Sequence, residues 1–196
     1  WSGQPVLIVD LDDVLIKFRE GFIEWLEETY EIQINKDSKE YYTTREVINA
    51  GLNPEEVFTQ FILARKIKLL KPEQDMLDVV NSLSKSGFWI HLLTARPDND
   101  LQCFYDTYTW LEKSGLSYDK LSFSGEKYRW CTQSEYFDSG SIVCAVDDSP
   151  KHAAEYAKHG IPVYVPYKPY NLEVHDMKNV HVFKCAEEFL RKIKKL

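Results

Sequence analysis

Three carboxylates in four positions, Asp10, Asp12 and Asp13, close an apolar run that begins at Val6. A run such as Val6-Leu-Ile-Val9 reads as a strand buried on both faces of a sheet. Its acids would then lie at the carboxyl end, where open α/β sheets gather their ligands. Acids so close together repel unless a proton or a cation sits among them; the plain alternative is that Asp-Asp only forms a turn. A second site of the same construction lies far along the chain. Ile142-Val-Cys-Ala-Val146 ends in Asp147 and Asp148, and Ser149-Pro150 opens a predicted helix, with Pro where a missing N–H does no harm. A third run, Phe88 to Leu93, ends instead in Thr94-Ala95-Arg96-Pro97. Two predicted strand ends thus carry oxygen ligands suited to a hard divalent cation, and one carries donors suited to phosphate.

These segments together, Asp10-Leu-Asp12-Asp-Val-Leu15, Leu93-Thr-Ala-Arg-Pro97 and Asp147-Asp-Ser-Pro150, resemble the haloacid dehalogenase superfamily of aspartate-nucleophile phosphatases. Within it, the "Asp-Asp-Val-Leu", "Thr-Ala-Arg-Pro", "His-Gly-Ile-Pro-Val" and "Pro-Tyr-Asn" segments resemble the 5′(3′)-deoxyribonucleotidase type, from residue 6 to about residue 171. The resemblance implies a Mg²⁺-dependent phosphomonoesterase that forms an aspartyl-phosphate and acts on nucleoside monophosphates. It implies Asp10 as nucleophile and Asp12 as acid and base. The metal would be held by Asp10, the backbone carbonyl of Asp12 and Asp147, with Asp148 as a further ligand or an acceptor behind one. Thr94 and the adjoining backbone at Ala95 would hold phosphoryl oxygens, while Arg96 is open between a phosphate contact and an ion-pair partner. The superfamily also needs a cation near the last acidic pair, and the stretch directly before Asp147 has no Lys. Lys127, in Phe123-Ser-Gly-Glu-Lys127, is the chosen candidate, with Lys120 and Arg129 as rivals; solvation at the surface is the ordinary fate of such residues.

The elements that must position these groups follow from spacing. The expected fold is α/β: a Rossmann-like three-layer α/β/α core around a central parallel sheet, built from residues 1–15 and 72–196. Residues 16–71 form a helical insertion, which in the resembled family caps the site. Phe18, Phe22, Trp25 and Leu26 recur at helical intervals, as do Val57, Phe58, Phe61 and Ile62. Asn53-Pro54-Glu55-Glu56 between them is a capped helix start. Further helices are predicted over 72–86, 98–114 and 150–159, the last two stopped by Gly115 and Gly160. A fifth strand spans 161–165, an edge strand 180–183, and a terminal helix starts near Ala186. The aromatics Phe18, Phe22, Trp25, Tyr41, Tyr42 and Phe61 could stack a nucleobase or form the core of the insertion; Phe18 and Tyr42 are the chosen substrate contacts. Asp13 reads as the residue that shapes the turn after the first strand. His91 falls inside a strand and reads as a hydrogen-bonded core residue.

Composition narrows the class. A chain of 196 residues can bury a sizeable core. A net charge of −7 argues against broad binding to long nucleic acid, which needs a basic face. No apolar stretch reaches the ~20 residues of a bilayer span, so no membrane partner is expected. Cys103, Cys131, Cys144 and Cys185 are scattered without close pairs, which fits free thiols in a reducing cytoplasm. Two alternatives stay open: a phosphatase for another small ester such as a sugar phosphate, and a degenerate fold used for binding. A homodimer is also left open.

Overall fold

The computed structural model describes residues 3–40 and 44–195. The first run forms β1 (Val6–Val9), every residue of it buried. The chain then enters a helical insertion: α1 (Phe18–Tyr30), α2 (Thr44–Asn49), α3 (Pro54–Leu63) and a 3-10 turn at Ile67–Leu69. It returns through α4 (Gln74–Lys85) and β2 (Trp89–Thr94), then α5 (Leu101–Ser114), β3 (Lys120–Phe123), α6 (Lys127–Thr132) and α7 (Glu135–Asp138). The remainder is β4 (Ile142–Val146), α8 (Pro150–Lys158), β5 (Val163–Pro166), β6 (Val180–Phe183) and α9 (Ala186–Ile193).

The six strands form one sheet in the order β3-β2-β1-β4-β5-β6, and all pairings are parallel. Parallel strands need helical crossovers, so both faces are covered and the central strands can be apolar throughout. The chain passes from β1 to β2 on one side and later places β4 on the other. This reversal of order opens a crevice at the carboxyl ends of β1 and β4, where Asp10 and Asp147 follow their strands. The sheet and the helical insertion share one continuous apolar core: Leu7, Val9 and Leu92 of the sheet belong to the same cluster as Leu26, Val57 and Phe61 of the insertion.

Local chemistry explains most element boundaries. Asn53 caps α3 by accepting the N–H groups of Glu55 (2.9 Å) and Glu56 (3.4 Å), with Pro54 next. Asp100 accepts the N–H of Cys103 at 2.9 Å, so α5 begins at Leu101 and not at residue 98. Gly115 ends that helix at φ +68°, a left-handed conformation that is cheap only without a Cβ. The fifth strand starts at Val163, two residues later than expected, while the carbonyl of Pro162 still accepts the N–H of Ala145.

His91 is fully buried on β2, with Nε2 3.0 Å from Ser122 Oγ and its ring edge-on to Trp130. Burial, with nearby Lys120 adding to it, pushes its pKa down to about 3. The unfolded chain therefore takes up this proton first, so stability is full above pH 6.5 and falls as the pH drops. Between pH 7 and pH 5 this group alone costs about 2 kcal/mol. Urea unfolding of His91→Phe at the two pH values is expected to show that much less acid sensitivity than the parent; an unchanged difference would refute it.

Candidate active site

Asp10 remains tied to the sheet by its backbone, donating its N–H to the carbonyl of Val146 at 2.9 Å, and Asp147 does the same to Tyr164 at 3.1 Å. The two carboxylates are thereby fixed side by side. Between them lies Lys127, the first residue of α6, with no exposed surface. Its Nζ is 2.7 Å from Asp10 Oδ1 and 2.8 Å from Asp147 Oδ2. Burial opposes its charge, but the two carboxylates hold its pKa above the usual lysine value. Lys120 instead lies over the Trp130 ring, and Arg129 pairs with Glu126 in solvent. Of the three cations considered from sequence, Lys127 alone is buried against the acidic cluster.

Asp10, Asp147 and Asp148 can bring one oxygen each within 4.8 Å of one another. Backbone donors fill part of their capacity: Leu11 N–H donates to Asp10 at 2.7 Å, and Ser149 N–H to Asp147 at 3.0 Å. Asp148 is completely buried, with Oδ2 accepting from the Tyr170 hydroxyl at 2.7 Å and Oδ1 making no hydrogen bond. A buried carboxylate oxygen without a donor is costly unless a proton or a cation meets it. Burial raises the pKa of Asp10 to about 7, helped by Asp147 and Asp12 and opposed by Lys127. Burial together with Asp13, Asp10 and Asp147 also pushes Asp148 well above the carboxylate range. More negative charge is concentrated here than one ammonium neutralises, and the donor set is all oxygen. Such a cluster fits a hard divalent cation such as Mg²⁺.

Asp13 turns the chain away from the sheet at φ +53°, a conformation that Asp tolerates better than most residues. Its carboxylate then accepts the Arg19 N–H at 3.0 Å in the first turn of α1. This conformation agrees with Asp13 as a turn-former. Asp12 lies in the same loop, and there Arg96 meets it: Nε to Oδ2 at 2.9 Å and Nη2 to Oδ1 at 2.5 Å. Arg96 Nη1 donates to Thr107 Oγ1 at 2.9 Å. All three guanidinium nitrogens thus have a protein partner, as the ion-pair alternative expects, while Arg96 also borders the cavity of the site. Thr94 is fully buried and its Oγ1 accepts the Arg96 N–H at 3.2 Å, while Ala95 borders the cavity.

That cavity, about 320 Å³, has Asp10, Asp12, Asp13 and Lys127 at one end and Phe18, Phe22 and Phe58 on its wall. Phe18 stacks on Phe22 with centroids 5.7 Å apart. Trp25 and Phe61 are buried beneath them as core. Tyr41 and Tyr42 lie outside the described residues. Phe58, Arg19 and His152 also line the cavity, and the sequence alone assigns no role in the site to Phe58 or Arg19. Helical spacing marks Phe58 as apolar but does not distinguish a wall from a core position. Tyr170 and Asn171 stand out in the sequence only as part of the Pro-Tyr-Asn segment. Here Tyr170 holds Asp148 by its side chain, and Asn171 donates to the Asp148 carbonyl at 3.0 Å.

Comparison with known proteins places this arrangement. A hydrolase of the haloacid dehalogenase family from Deinococcus radiodurans, solved with phosphate and sodium, superposes with a TM-score of 0.63 at 12% identity, covering 100% of this chain and 97% of that one. A hydrolase of the same family from Bacillus subtilis, solved with magnesium, gives 0.63 at 16% identity over 97% and 99%. The D,D-heptose 1,7-bisphosphate phosphatase of Burkholderia thailandensis gives 0.61 at 10% identity over 98% and 100%. At such identities the likeness establishes the fold alone. A comparison with curated protein sequences gave no match. No helix among the described residues is long and apolar enough to cross a membrane. The family described as 5′ nucleotidase, deoxy (pyrimidine), cytosolic type C protein matches residues 4–196. The chain therefore belongs to that family and is a phosphatase of the haloacid dehalogenase superfamily.

Proposed function

We propose that the enzyme hydrolyses deoxynucleoside and nucleoside monophosphates, with Mg²⁺ as cofactor, through an aspartyl-phosphate on Asp10. One observation carries this reading: a single cavity joins the Asp10–Asp12–Lys127 cluster to a phenylalanine wall. The acidic end suits a phosphoryl group accompanied by a cation, and the wall suits a flat base. Residues 16–71 act as the cap, since they supply that wall.

Phosphoryl transfer depends on placement and charge balance. A carboxylate oxygen of Asp10 attacks phosphorus, and the ester P–O bond breaks as Asp12 protonates the leaving oxygen. Water then attacks the same phosphorus, Asp12 takes its proton, and the bond to Asp10 breaks to release phosphate. Lys127 offsets charge on Asp10 and on the transferred group. Thr94 Oγ1 accepts from Arg96, which leaves its own hydroxyl proton for a phosphoryl oxygen, beside the backbone of Ala95. Asp10, Asp147, Asp148 and the Asp12 carbonyl would hold the metal. When bound, Mg²⁺ supplies charge neutralisation and orientation of the phosphate. Phe18 is a substrate contact, joined by Phe22 and Phe58. We place the enzyme in the cytoplasm, supported by the family's cytosolic description and by free Cys103, Cys131, Cys144 and Cys185.

Phosphate release from a panel of deoxynucleoside monophosphates and sugar phosphates, with and without Mg²⁺, tests this. Nucleotides are expected to lead by at least about tenfold in kcat/KM, on the order of what a few well-placed pocket contacts discriminate. A preference for sugar phosphates, or hydrolysis unaffected by metal chelation, would overturn it. Tyr170→Phe removes the donor that orients Asp148 while keeping the buried ring. It is expected to raise the Mg²⁺ concentration for half-maximal thermal stabilisation by about tenfold, as for other groups that orient a metal ligand. An unchanged Mg²⁺ response would show that the hydroxyl plays no part in metal binding.

A further inference from the structure

We propose that Arg96 is a positioning residue for Asp12, a clamp on the proton-transferring carboxylate and not a clasp for the phosphate; this rests on the phosphatase reading above. Asp12 needs such a clamp. It stands in the loop beyond β1, its side chain about 20% exposed; the hydrogen bonds of Leu11 and Asp13 to Ile16 hold its backbone but do not orient its carboxylate. Arg96 meets it with two parallel N–H···O bonds, the fork geometry that fixes a carboxylate in plane as well as in place.

The guanidinium is itself immobilised from behind. Its side chain is only 3% exposed. Nη1 donates to Thr107 Oγ1, and the hydroxyl of Thr107, fully buried on α5, donates a hydrogen bond to the Cys103 carbonyl at 2.8 Å. Its backbone N–H is held by Thr94 Oγ1. Arg96 thus donates in two directions, forward to Asp12 and back to Thr107, which donates in turn to the Cys103 carbonyl of α5. Each Asp12 oxygen keeps a second lone pair, so the carboxylate can exchange a proton with the leaving oxygen or with water while remaining clamped.

The two roles for Arg96 predict different kinetics. A clamp on the acid matters when the leaving oxygen needs a proton, as a nucleoside alkoxide does and a nitrophenolate does not. A phosphate clasp would matter equally for both esters. For Arg96→Ala, kcat/KM on a deoxynucleoside monophosphate is expected to fall about 10²-fold, the lower range for losing an oriented acid–base group. On 4-nitrophenyl phosphate, kcat/KM should stay within about threefold, since no acid is needed there. Rapid mixing should then show a burst of nitrophenolate followed by slow turnover, because water attack on the phosphoenzyme still needs Asp12 as base. Inhibition by inorganic phosphate should be unchanged.

Arg96→Lys, which reaches one oxygen at a time, is expected to recover part of the loss. Thr107→Val, which leaves every cavity residue in place, should reproduce the same pattern at several-fold size. Equal losses on both esters with weakened phosphate inhibition would overturn the clamp and leave the phosphatase reading standing. A parent enzyme that hydrolyses neither ester would remove that reading, and the clamp with it.

Discussion

Asp10→Asn is expected to abolish phosphate release, by about four orders of magnitude or more in kcat, while leaving the fold intact. The size follows from removing a nucleophile whose partners cannot substitute for it. Asn is nearly the same shape, and its backbone N–H still meets Val146, so the crevice should keep its form. The effect on stability is expected to have the opposite sign. Burial, with Asp147 and Asp12, raises the Asp10 pKa to about 7 even with Lys127 beside it. A group whose folded pKa is raised favours the folded state most below its unfolded value. That advantage is lost as the pH rises through about 7. At pH 8, without metal, the parent therefore carries the cost of an ionised buried carboxylate, which the amide lacks. Asp10→Asn should be about 1–3 kcal/mol more stable there, less than the full linkage value because one Lys127 contact is lost as well.

Chemical denaturation at pH 8 and pH 5 measures this directly. The gain should be present at pH 8 and shrink toward pH 5, where the parent carboxyl is protonated. Mg²⁺ should stabilise the parent more than the variant, because a ligand of one state shifts stability by mass action. A variant that is active, or that is less stable at pH 8 than at pH 5 relative to the parent, would contradict the assignment of Asp10.

The same conflict of charges makes much of the site legible in the sequence. Apolar runs ending in Asp10 and Asp147 announce buried strands with acids at their mouths, because little else reconciles aliphatic runs with paired carboxylates. Capping residues such as Asn53 and Ser149 mark helix starts through hydrogen bonds that are local in sequence. Groups brought in across the fold are harder to read. Lys127 is twenty positions before Asp147, and α6 and α7 fill the interval, so sequence distance gives it no advantage over Lys120 or Arg129. Arg96 is open between two roles in the sequence because its partners, Asp12 and Thr107, are chosen by packing between the loop after β1 and α5. Phe22 and Phe61 sit on adjoining helices with the same apolar signature, yet one borders the cavity and the other is core. Periodicity reports which face of a helix is apolar and is silent on whether that face meets protein or ligand.

Lys127→Met carries the argument to the centre of the cluster. Methionine fills most of the buried channel but leaves Asp10 and Asp147 facing each other without their shared cation. Removing one partner of a buried ion pair typically costs about 3–5 kcal/mol, because the remaining charge is stranded. For a chain of this length that is roughly a 10 °C fall in Tm. Activity should fall by about 10²–10³, the range for losing one preorganised electrostatic group. The pH dependence is diagnostic. With the ammonium gone, Asp10 holds its proton more tightly in the folded state, and its protonation relieves the repulsion with Asp147. The deficit relative to the parent should therefore be largest near pH 8 and shrink as the pH falls toward 5. Mg²⁺ should restore part of the stability, since it delivers positive charge to the same oxygens, but not the activity, because it cannot replace an ammonium fixed between them. If Lys127→Met matched the parent in Tm and turnover at pH 8, the cation completing this site would have to lie elsewhere, and the buried contacts of Lys127 would be structural alone.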